Sequence, residues 1–118
     1  MDNILPYIAL GLLAALLLWR NFGPNKRASG PTILAKIEAG ARIIDVRTAS
    51  EFKGGAYPKA INMPLDGLQT KIDRLKPLDQ PIIVYCASGA RSAQAAGMLK
   101  KAGFTDVSNG GGLSGMPR

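Results

Sequence analysis

Histidine is absent from this chain of 118 residues, and cysteine occurs once, as Cys86. A single cysteine excludes an internal disulfide framework. Without histidine, zinc sites of the Cys/His type and catalytic pairs that use an imidazole to activate serine or cysteine are also excluded. We predict neither a metal nor a cofactor. If Cys86 has a chemical role, its thiol must be activated without an imidazole.

Aromatic residues are also few, with three Tyr, three Phe and one Trp, whereas hydrophobic residues make up 47% of the chain. Such a composition predicts a core of aliphatic side chains, as in α/β domains, and argues against disorder. The formal net charge is +7, but Lys and Arg form no dense cluster, so we predict no nucleic-acid partner. A small anionic substrate or lipid headgroups would fit the charge equally well.

The N-terminal region contains an uncharged run over residues 4–19, ILPYIALGLLAALLLW, with no Lys or Arg before it. The basic n-region of a secretory signal peptide is missing before the run, and no cleavage site follows it. An uncleaved membrane anchor is therefore favoured. We therefore predict a transmembrane signal-anchor helix over residues 1–23, a polar linker over residues 24–31 and one folded domain over residues 32–118. The membrane is thus a predicted partner of the N-terminal helix.

The charges that flank this run predict a topology. Arg20, Lys26 and Arg27 all follow the run, so the positive-inside rule indicates a single-pass inner-membrane protein with its domain in the cytoplasm. A cleaved signal peptide or an inverted anchor would place the domain in the periplasm instead.

Beyond the linker, helical and strand patterns alternate along the chain. Thr48 and Glu51 form a capping box that opens a short helix, and the apolar run over residues 82–85 is typical of a central parallel strand. We therefore predict an α/β fold with a parallel sheet flanked by helices. Gly110 to Gly112 are compatible with either a flexible tail or a turn packed beneath a neighbouring loop. The other predicted elements are helices over residues 32–39, around 68–75 and over 92–101, and strands at 43–46, 60–62 and 105–108.

The segment from Cys86 to Ser92, CASGARS, lies between the buried strand and the next helix. Ligand sites in such sheets lie at the carboxyl ends of strands, and helix N-termini leave amide N–H groups available to an anion. These groups, with Arg91, would lower the pKa of the thiol. A buried and inert Cys86 is the alternative, but the small residues, the glycine and the arginine favour a nucleophile in an anion cradle.

Three motifs, in order along the chain, resemble the rhodanese family. CASGARS resembles its Cys-x-x-Gly-x-Arg-Ser active loop, IIDVRTASEF its Asp-Val-Arg strand, and AINMPL its Ala-Ile-Asn-x-Pro-Leu stretch. The similarity covers residues 32–117, and the closing GGLSGMP resembles short single-domain members of the phage shock protein E kind. The chain departs from the family at Ala56-Tyr57, where His-Ile is common, and at Leu113, where many members have tryptophan; the second departure is expected to loosen the end of the domain.

The resemblance implies a thiosulfate sulfurtransferase that moves a sulfane sulfur to cyanide or a thiol through a Cys86 persulfide. The small-molecule donor would be thiosulfate or a persulfide. Arg91 would position the loop or the donor, and Asp45 and Arg47 would support the site from behind, most simply as an ion pair at a strand end. The residues implied to bind substrate are Ala87, Ser88, Gly89, Ala90, Arg91 and Ser92.

Two other functions remain open at this stage. Cysteine-dependent phosphatases and arsenate reductases also use a cysteine, a loop and an arginine, but they place five residues between the two, whereas four lie between Cys86 and Arg91. A non-catalytic rhodanese module at a membrane is the second alternative, although such modules usually lose the cysteine or the arginine.

The first testable prediction concerns Cys86. Replacing Cys86 by Ser should abolish sulfur transfer and leave the domain folded, because a serine hydroxyl does not ionise near neutral pH and oxygen cannot carry a persulfide. Thiocyanate production from thiosulfate and cyanide measures the activity, and circular dichroism checks the fold. Turnover of the variant near that of the native chain would refute the role of Cys86.

Overall fold

The structure is a computed structural model that describes residues 3–22 and 25–118, with the side chains of residues 17–22 outside the description. Helices and parallel strands alternate along the described chain. Two short 3₁₀ turns, Ile72–Leu75 and Leu113–Gly115, complete the elements. The main elements in order are α1 Leu5–Phe22, α2 Gly30–Glu38, β1 Arg42–Asp45, α3 Ala49–Lys53, β2 Ile61–Asn62, α4 Leu65–Lys71, β3 Ile82–Cys86, α5 Ala90–Lys101 and β4 Val107–Gly112.

The N-terminal helix does not support the predicted membrane anchor. Among the residues described, the structure contains no helix with the length and apolar character needed to cross a bilayer. Helix α1 has 18 residues, which corresponds to a rise of about 27 Å, and its last turn includes Arg20 and Asn21, while the hydrocarbon core is about 30 Å thick. The transmembrane helix predicted over residues 1–23 is therefore not supported, and residues 1, 2 and 23 lie outside the description.

The sheet has four strands in the order β2-β1-β3-β4, all parallel. Strand β3 is central, and all five of its residues are buried, as expected for a strand covered on both faces. Its carboxyl end therefore lies between those of β1 and β4. The predicted parallel α/β sheet with flanking helices is confirmed.

Two hydrophobic clusters cover the two faces of the sheet. One contains Leu68 of α4 and Leu99 of α5, packed with Val84 and Cys86 of β3. The other joins Ile33 of α2 to the opposite face of β3 and to the C-terminal residues; its buried members are Ile33, Ile43, Ile83, Tyr85 and Met116. Since side chains alternate along a strand, Cys86 and Tyr85 face opposite clusters.

Local capping signals define where the helices near the site begin. Thr48 is the N-cap of α3, and both hydrogen bonds of the predicted capping box with Glu51 are present. Ser29 caps α2 by accepting a hydrogen bond from the backbone N–H of Thr32. Helix α2 therefore begins at Gly30, two residues earlier than predicted.

The segment predicted as a linker over residues 24–31 instead packs on the domain from residue 25 onward. Arg27 pairs with Asn109 of β4 as an isolated parallel bridge, and Ala28 N–H donates to the Asn109 carbonyl at 2.8 Å. The Arg27 guanidinium also donates to the Gly115 carbonyl at 2.6 Å. Polar composition suggested a linker, but these backbone and side-chain groups find partners on β4, and residue 24 lies outside the description.

Glycines 110 to 112 form the end of β4, which extends four residues beyond the predicted strand. A Cβ atom on Gly112 would lie 2.5 Å from the Ala87 carbonyl oxygen, so only glycine permits this approach to the loop after Cys86. Gly111 has a φ of 81°, a conformation that favours glycine. The flexible-tail interpretation is wrong, because these glycines pack a strand against the candidate site.

Candidate active site

Cys86 is the last residue of β3, and its side chain is fully buried. The backbone N–H of Gly89 donates to the Cys86 sulfur at 2.9 Å, so the chain curls back around the thiol. The thiol itself lies 3.5 Å from the Ser92 hydroxyl oxygen, to which it donates. The sulfur therefore lies inside the loop predicted from the sequence, at the carboxyl end of the central strand.

Gly89 makes this loop possible. Its φ of 101° is in the left-handed region, and it is the N-cap residue of α5. A Cβ atom there would also lie 3.5 Å from the Gly111 Cα of β4, which places the loop directly against that strand. Helix α5 consequently begins at Ala90, two residues earlier than predicted, and Arg91 and Ser92 belong to its first turn.

The environment of the sulfur lowers the pKa of the Cys86 thiol. Burial raises this pKa, but hydrogen bonds from the Ser92 side chain and from the backbone of Ser92, Gly89 and Ser88 together outweigh it. These donors stabilise a negative charge on sulfur in the absence of any histidine. A reactive cysteine requires such a thiolate, so the loop fits the chemistry of a nucleophile.

Arg91 does not point freely into the site, because Glu51 of α3 holds it. Its two terminal nitrogens donate to the two carboxylate oxygens of Glu51 at 2.7 and 3.0 Å. The hydrogen bond to Arg91 and the capping bonds from Thr48 lower the pKa of Glu51 to about 2. The capping box of α3 is thereby joined to the first turn of α5.

Asp45 and Arg47 form a buried ion pair at the end of β1. The Arg47 guanidinium donates to Asp45 at 2.7 Å, and the Tyr85 hydroxyl donates to the same carboxylate at 2.7 Å. The hydrogen bond to Asp45 raises the pKa of Arg47. Burial and the contact with Asp45 raise the pKa of Tyr85 to about 12. The Asp45–Arg47 ion pair expected at a strand end is present, next to the strand that carries the cysteine.

Of the remaining loop residues, Ser88 contributes to the site through its backbone. Ala87, Ser88 and Ala90 are exposed and surround the cysteine without adding a charged side chain. Ser92 has a larger role than the sequence indicated, since its fully buried hydroxyl contacts the thiol. The residues from Cys86 to Ser92 thus lie together at the end of β3, and their role in binding substrate stays a prediction.

Sequence reasoning missed Glu51 and Asn109 as site residues. The capping box was recognised, but the residue that its carboxylate binds, Arg91, lies 40 positions away. Asn109 lies on β4, where its side chain reaches Ser92 at 2.7 Å, and no motif in the sequence identifies that contact.

A cavity of about 820 Å³ opens beside this edge of the sheet. Glu51 forms part of its wall, together with Ala56, Tyr57 and Leu113, the three residues at which the chain departs from the rhodanese pattern. The Tyr57 hydroxyl donates to the Pro117 carbonyl, and Met116 is buried. The end of the domain is therefore held by packing and hydrogen bonds, contrary to the looser end expected from the missing tryptophan.

The parallel sheet, the loop after β3 and the buried thiol define a cysteine-centred α/β domain. Residues 31–115 match the family model of the rhodanese-like domain, which covers more than half of the chain. The chain therefore belongs to the rhodanese family. The match begins one residue before the predicted start of the domain.

Relatives with assigned names include several sulfurtransferases. The chain is 37% identical to thiosulfate sulfurtransferase PspE of Escherichia coli, over 59% of this chain and 68% of the relative. It is 34% identical to a sulfurtransferase of Allochromatium vinosum, over 57% of this chain and 62% of the relative. An uncharacterised protein of Bacillus subtilis, YqhL, is 39% identical over 58% of this chain and 54% of its own length. The chain thus spans little more than half the length of the last two.

Solved structures show the same fold. The human single-domain sulfurtransferase TSTD1 has a TM-score of 0.67 and 26% identity, with 74% of this chain and 89% of the human chain covered. A rhodanese with anions from Escherichia coli has a TM-score of 0.62 and 33% identity, with 66% and 95% covered.

The Ser92 hydroxyl generates the second prediction. Replacing Ser92 by Ala should raise the pKa of Cys86, because the side-chain hydrogen bond that stabilises the thiolate is lost. The rate of alkylation by iodoacetamide, measured as a function of pH, should then rise at a higher pH than in the native chain.

Ser88→Ala is the matched control for this measurement. Ser88 lies in the same loop and is exposed, and it acts on the thiol through its backbone, which the substitution retains. Its alkylation profile should coincide with that of the native chain. A Ser92→Ala profile that also coincides would show that the hydroxyl does not stabilise the thiolate.

Proposed function

We propose that this chain is a sulfurtransferase in which Cys86 carries the transferred sulfur as a persulfide, taken from thiosulfate or a persulfide donor and passed to cyanide or a thiol. The main support is the 2.9 Å hydrogen bond from Gly89 N–H to the buried Cys86 sulfur, within a loop that lowers the pKa of the thiol. Membership of the rhodanese family agrees with this reaction class.

The first half of the proposed reaction loads the cysteine. The Cys86 thiolate attacks the outer sulfur of thiosulfate, the bond between the two thiosulfate sulfurs breaks, and sulfite leaves with the bonding electron pair. The product is a cysteine persulfide whose outer sulfur carries one negative charge. Total charge is conserved, because the thiolate and dianionic thiosulfate yield the persulfide anion and dianionic sulfite.

The second half returns the enzyme to its starting state. Cyanide attacks the outer sulfur, the sulfur–sulfur bond breaks, and thiocyanate leaves while the electron pair returns to Cys86 as a thiolate. A thiolate acceptor reacts in the same way and becomes a persulfide. The loop amides that follow Cys86 supply hydrogen-bond donors at the start of α5, where an anion is favoured.

Arg91 has a positioning role in this proposal. Its guanidinium is bound at both terminal nitrogens by Glu51, so most of its charge is already compensated before a donor arrives. The pair joins α3 to the first turn of α5, one residue before Ser92. Arg91 therefore acts by holding the loop around Cys86 rather than by attracting the donor.

The experiment that tests the function uses the full chain. After incubation with thiosulfate and removal of excess reagent, intact mass spectrometry should show one added sulfur atom, which cyanide then removes as thiocyanate. Cys86→Ser should remain unmodified under the same conditions. Absence of the added sulfur on the native chain, or faster cleavage of an aryl phosphate than use of thiosulfate, would contradict the proposal.

The role of Arg91 generates a further prediction. Arg91→Ala should reduce turnover of thiosulfate and of a singly charged persulfide donor by similar factors, on the order of ten-fold for a partly exposed charged hydrogen-bonded pair. Arg91→Lys should recover little, because a lysine cannot reproduce the two-point contact with Glu51. Steady-state kinetics with both donors is the measurement.

Glu51→Gln is the companion variant. It keeps the Arg91 charge and weakens the two-point contact, so it should reduce turnover of both donors as well. If Glu51→Gln instead improves the KM for thiosulfate, or if Arg91→Ala affects thiosulfate alone, then the charge of Arg91 acts on the donor and the positioning role is wrong.

A further inference from the structure

Asn109 is a buried polar residue on β4 that neither the family motifs nor the reaction above use. Its side-chain Nδ2 donates to the Asn25 carbonyl at 2.9 Å. Its Oδ1 accepts from Gly111 N–H at 2.9 Å and from the Ser92 hydroxyl at 2.7 Å. The side chain therefore connects the segment after α1 to the residue that contacts the thiol.

The orientation of the Asn109 amide is determined by its neighbours. The Asn25 carbonyl can only accept a hydrogen bond and Gly111 N–H can only donate one, so Nδ2 must face the first and Oδ1 the second. A flipped amide would place two acceptors together and two donors together. Since Oδ1 has no proton to give, the hydrogen bond with Ser92 must use the hydroxyl proton of Ser92.

Ser92 has only one hydroxyl proton, and several acceptors surround it. Asn109 Oδ1 is the nearest at 2.7 Å, followed by the Gly89 carbonyl at 3.0 Å. The Cys86 sulfur is 3.5 Å away, and in the thiol form it donates to Ser92 rather than accepting. When Cys86 ionises, its sulfur becomes an acceptor and competes with Asn109 for the same proton.

We infer that Asn109 is a positioning residue that binds the Ser92 hydroxyl proton and thereby limits how strongly Ser92 stabilises the Cys86 thiolate. This inference rests on the proposed role of Cys86 as the nucleophile. The arrangement suits both halves of the reaction. When Cys86 is a thiolate, the Ser92 hydroxyl stabilises it only weakly, so its attack on the sulfur donor is not slowed. When the negative charge has moved to the outer sulfur of the persulfide, the Ser92 hydroxyl still has Asn109 as its hydrogen-bond partner.

Two ion pairs lie beside the loop, and the Arg27 guanidinium near the end of β4 donates to the Gly115 carbonyl. Arg91 of α5 interacts electrostatically with Cys86 and is bound to Glu51 of α3. Asp45, the last residue of β1, and Arg47, which follows the strand, form the other pair, in contact with Tyr85. Substitutions at Asn109 leave both pairs in place. A changed pKa of Cys86 in these variants would therefore reflect a changed hydrogen bond between Ser92 and the Cys86 sulfur.

Two substitutions of Asn109 should shift the thiol in opposite directions. Asn109→Ala removes the nearest competing acceptor, and an ionised sulfur is a stronger acceptor than the neutral Gly89 and Gly111 carbonyls that remain. The pKa of Cys86 should fall, and the thiolate fraction at a pH below that pKa should increase roughly two- to ten-fold. In Asn109→Asp, the carboxylate accepts the Ser92 hydroxyl proton more strongly and adds a negative charge near the sulfur, so the pKa of Cys86 should rise. Loosening of the loop alone would not produce opposite signs.

The measurement is the ultraviolet absorbance of the thiolate as a function of pH, with alkylation rates as a second readout. Asn25→Ala is the matched control, because it removes the side chain of Asn25, which accepts from Lys100 at 3.2 Å, while retaining the backbone carbonyl that Asn109 binds. Its titration should coincide with that of the native chain. A shift as large as that of Asn109→Ala would overturn the inference.

A double-substitution cycle tests whether Asn109 acts through Ser92. In a Ser92→Ala background, Asn109→Ala should leave the titration of Cys86 unchanged, and the shift caused by Asn109→Asp should shrink. A full effect in that background, or an unchanged or raised pKa in Asn109→Ala alone, overturns the inference. If Asn109→Ala does not fold, the absence of an upward shift in Asn109→Asp overturns it.

The persulfide experiment on the same variants separates this inference from the proposed function. An added sulfur on the native chain together with unshifted titrations would reject the role of Asn109 and retain the sulfurtransferase. No added sulfur on the native chain would reject the function, whatever the titrations show.

Discussion

The Cys86 sulfur is fully buried and yet the pKa of its thiol is lowered, and this combination is the constraint on which the rest of the site depends. Burial alone would raise the pKa of Cys86 and leave an inert thiol. The loop counteracts this with several hydrogen-bond donors around one atom, and it can do so only because Gly89 adopts a left-handed conformation at the start of α5. Backbone geometry and the Ser92 hydroxyl thus lower the pKa of this thiol without a histidine.

That geometry is in turn supported by the neighbouring elements. Strand β4 approaches the loop so closely that Gly112 has no space for a side chain beside the Ala87 carbonyl. On the other side, the contact between Glu51 and Arg91 ties α5 to the capped end of α3. The buried pair of Asp45 and Arg47 holds the end of β1 next to the same edge. The position of the sulfur is therefore determined by three strand ends and two helix starts together.

Local signals in the sequence were sufficient for most of the fold. The capping box of Thr48 and Glu51 was predicted correctly because it involves two residues three positions apart. The buried strand β3 was recognised from its continuous apolar run, and the loop from Cys86 to Ser92 from its composition. Hydrophobicity was less reliable at the N-terminus, where an apolar run predicted a membrane span that the 18-residue helix α1 does not support.

The sequence by itself determined the order of the elements, the parallel sheet and the cysteine loop, because each of these depends on residues that are close along the chain. Only the tertiary structure decided which distant groups meet that loop. Glu51 reaches Arg91 across 40 positions, and Asn109 reaches Ser92 across 17. Both contacts arise because parallel strands bring their carboxyl ends to one edge of the sheet. A linear pattern of residue types does not specify which side chains will form a hydrogen bond or an ion pair at that edge.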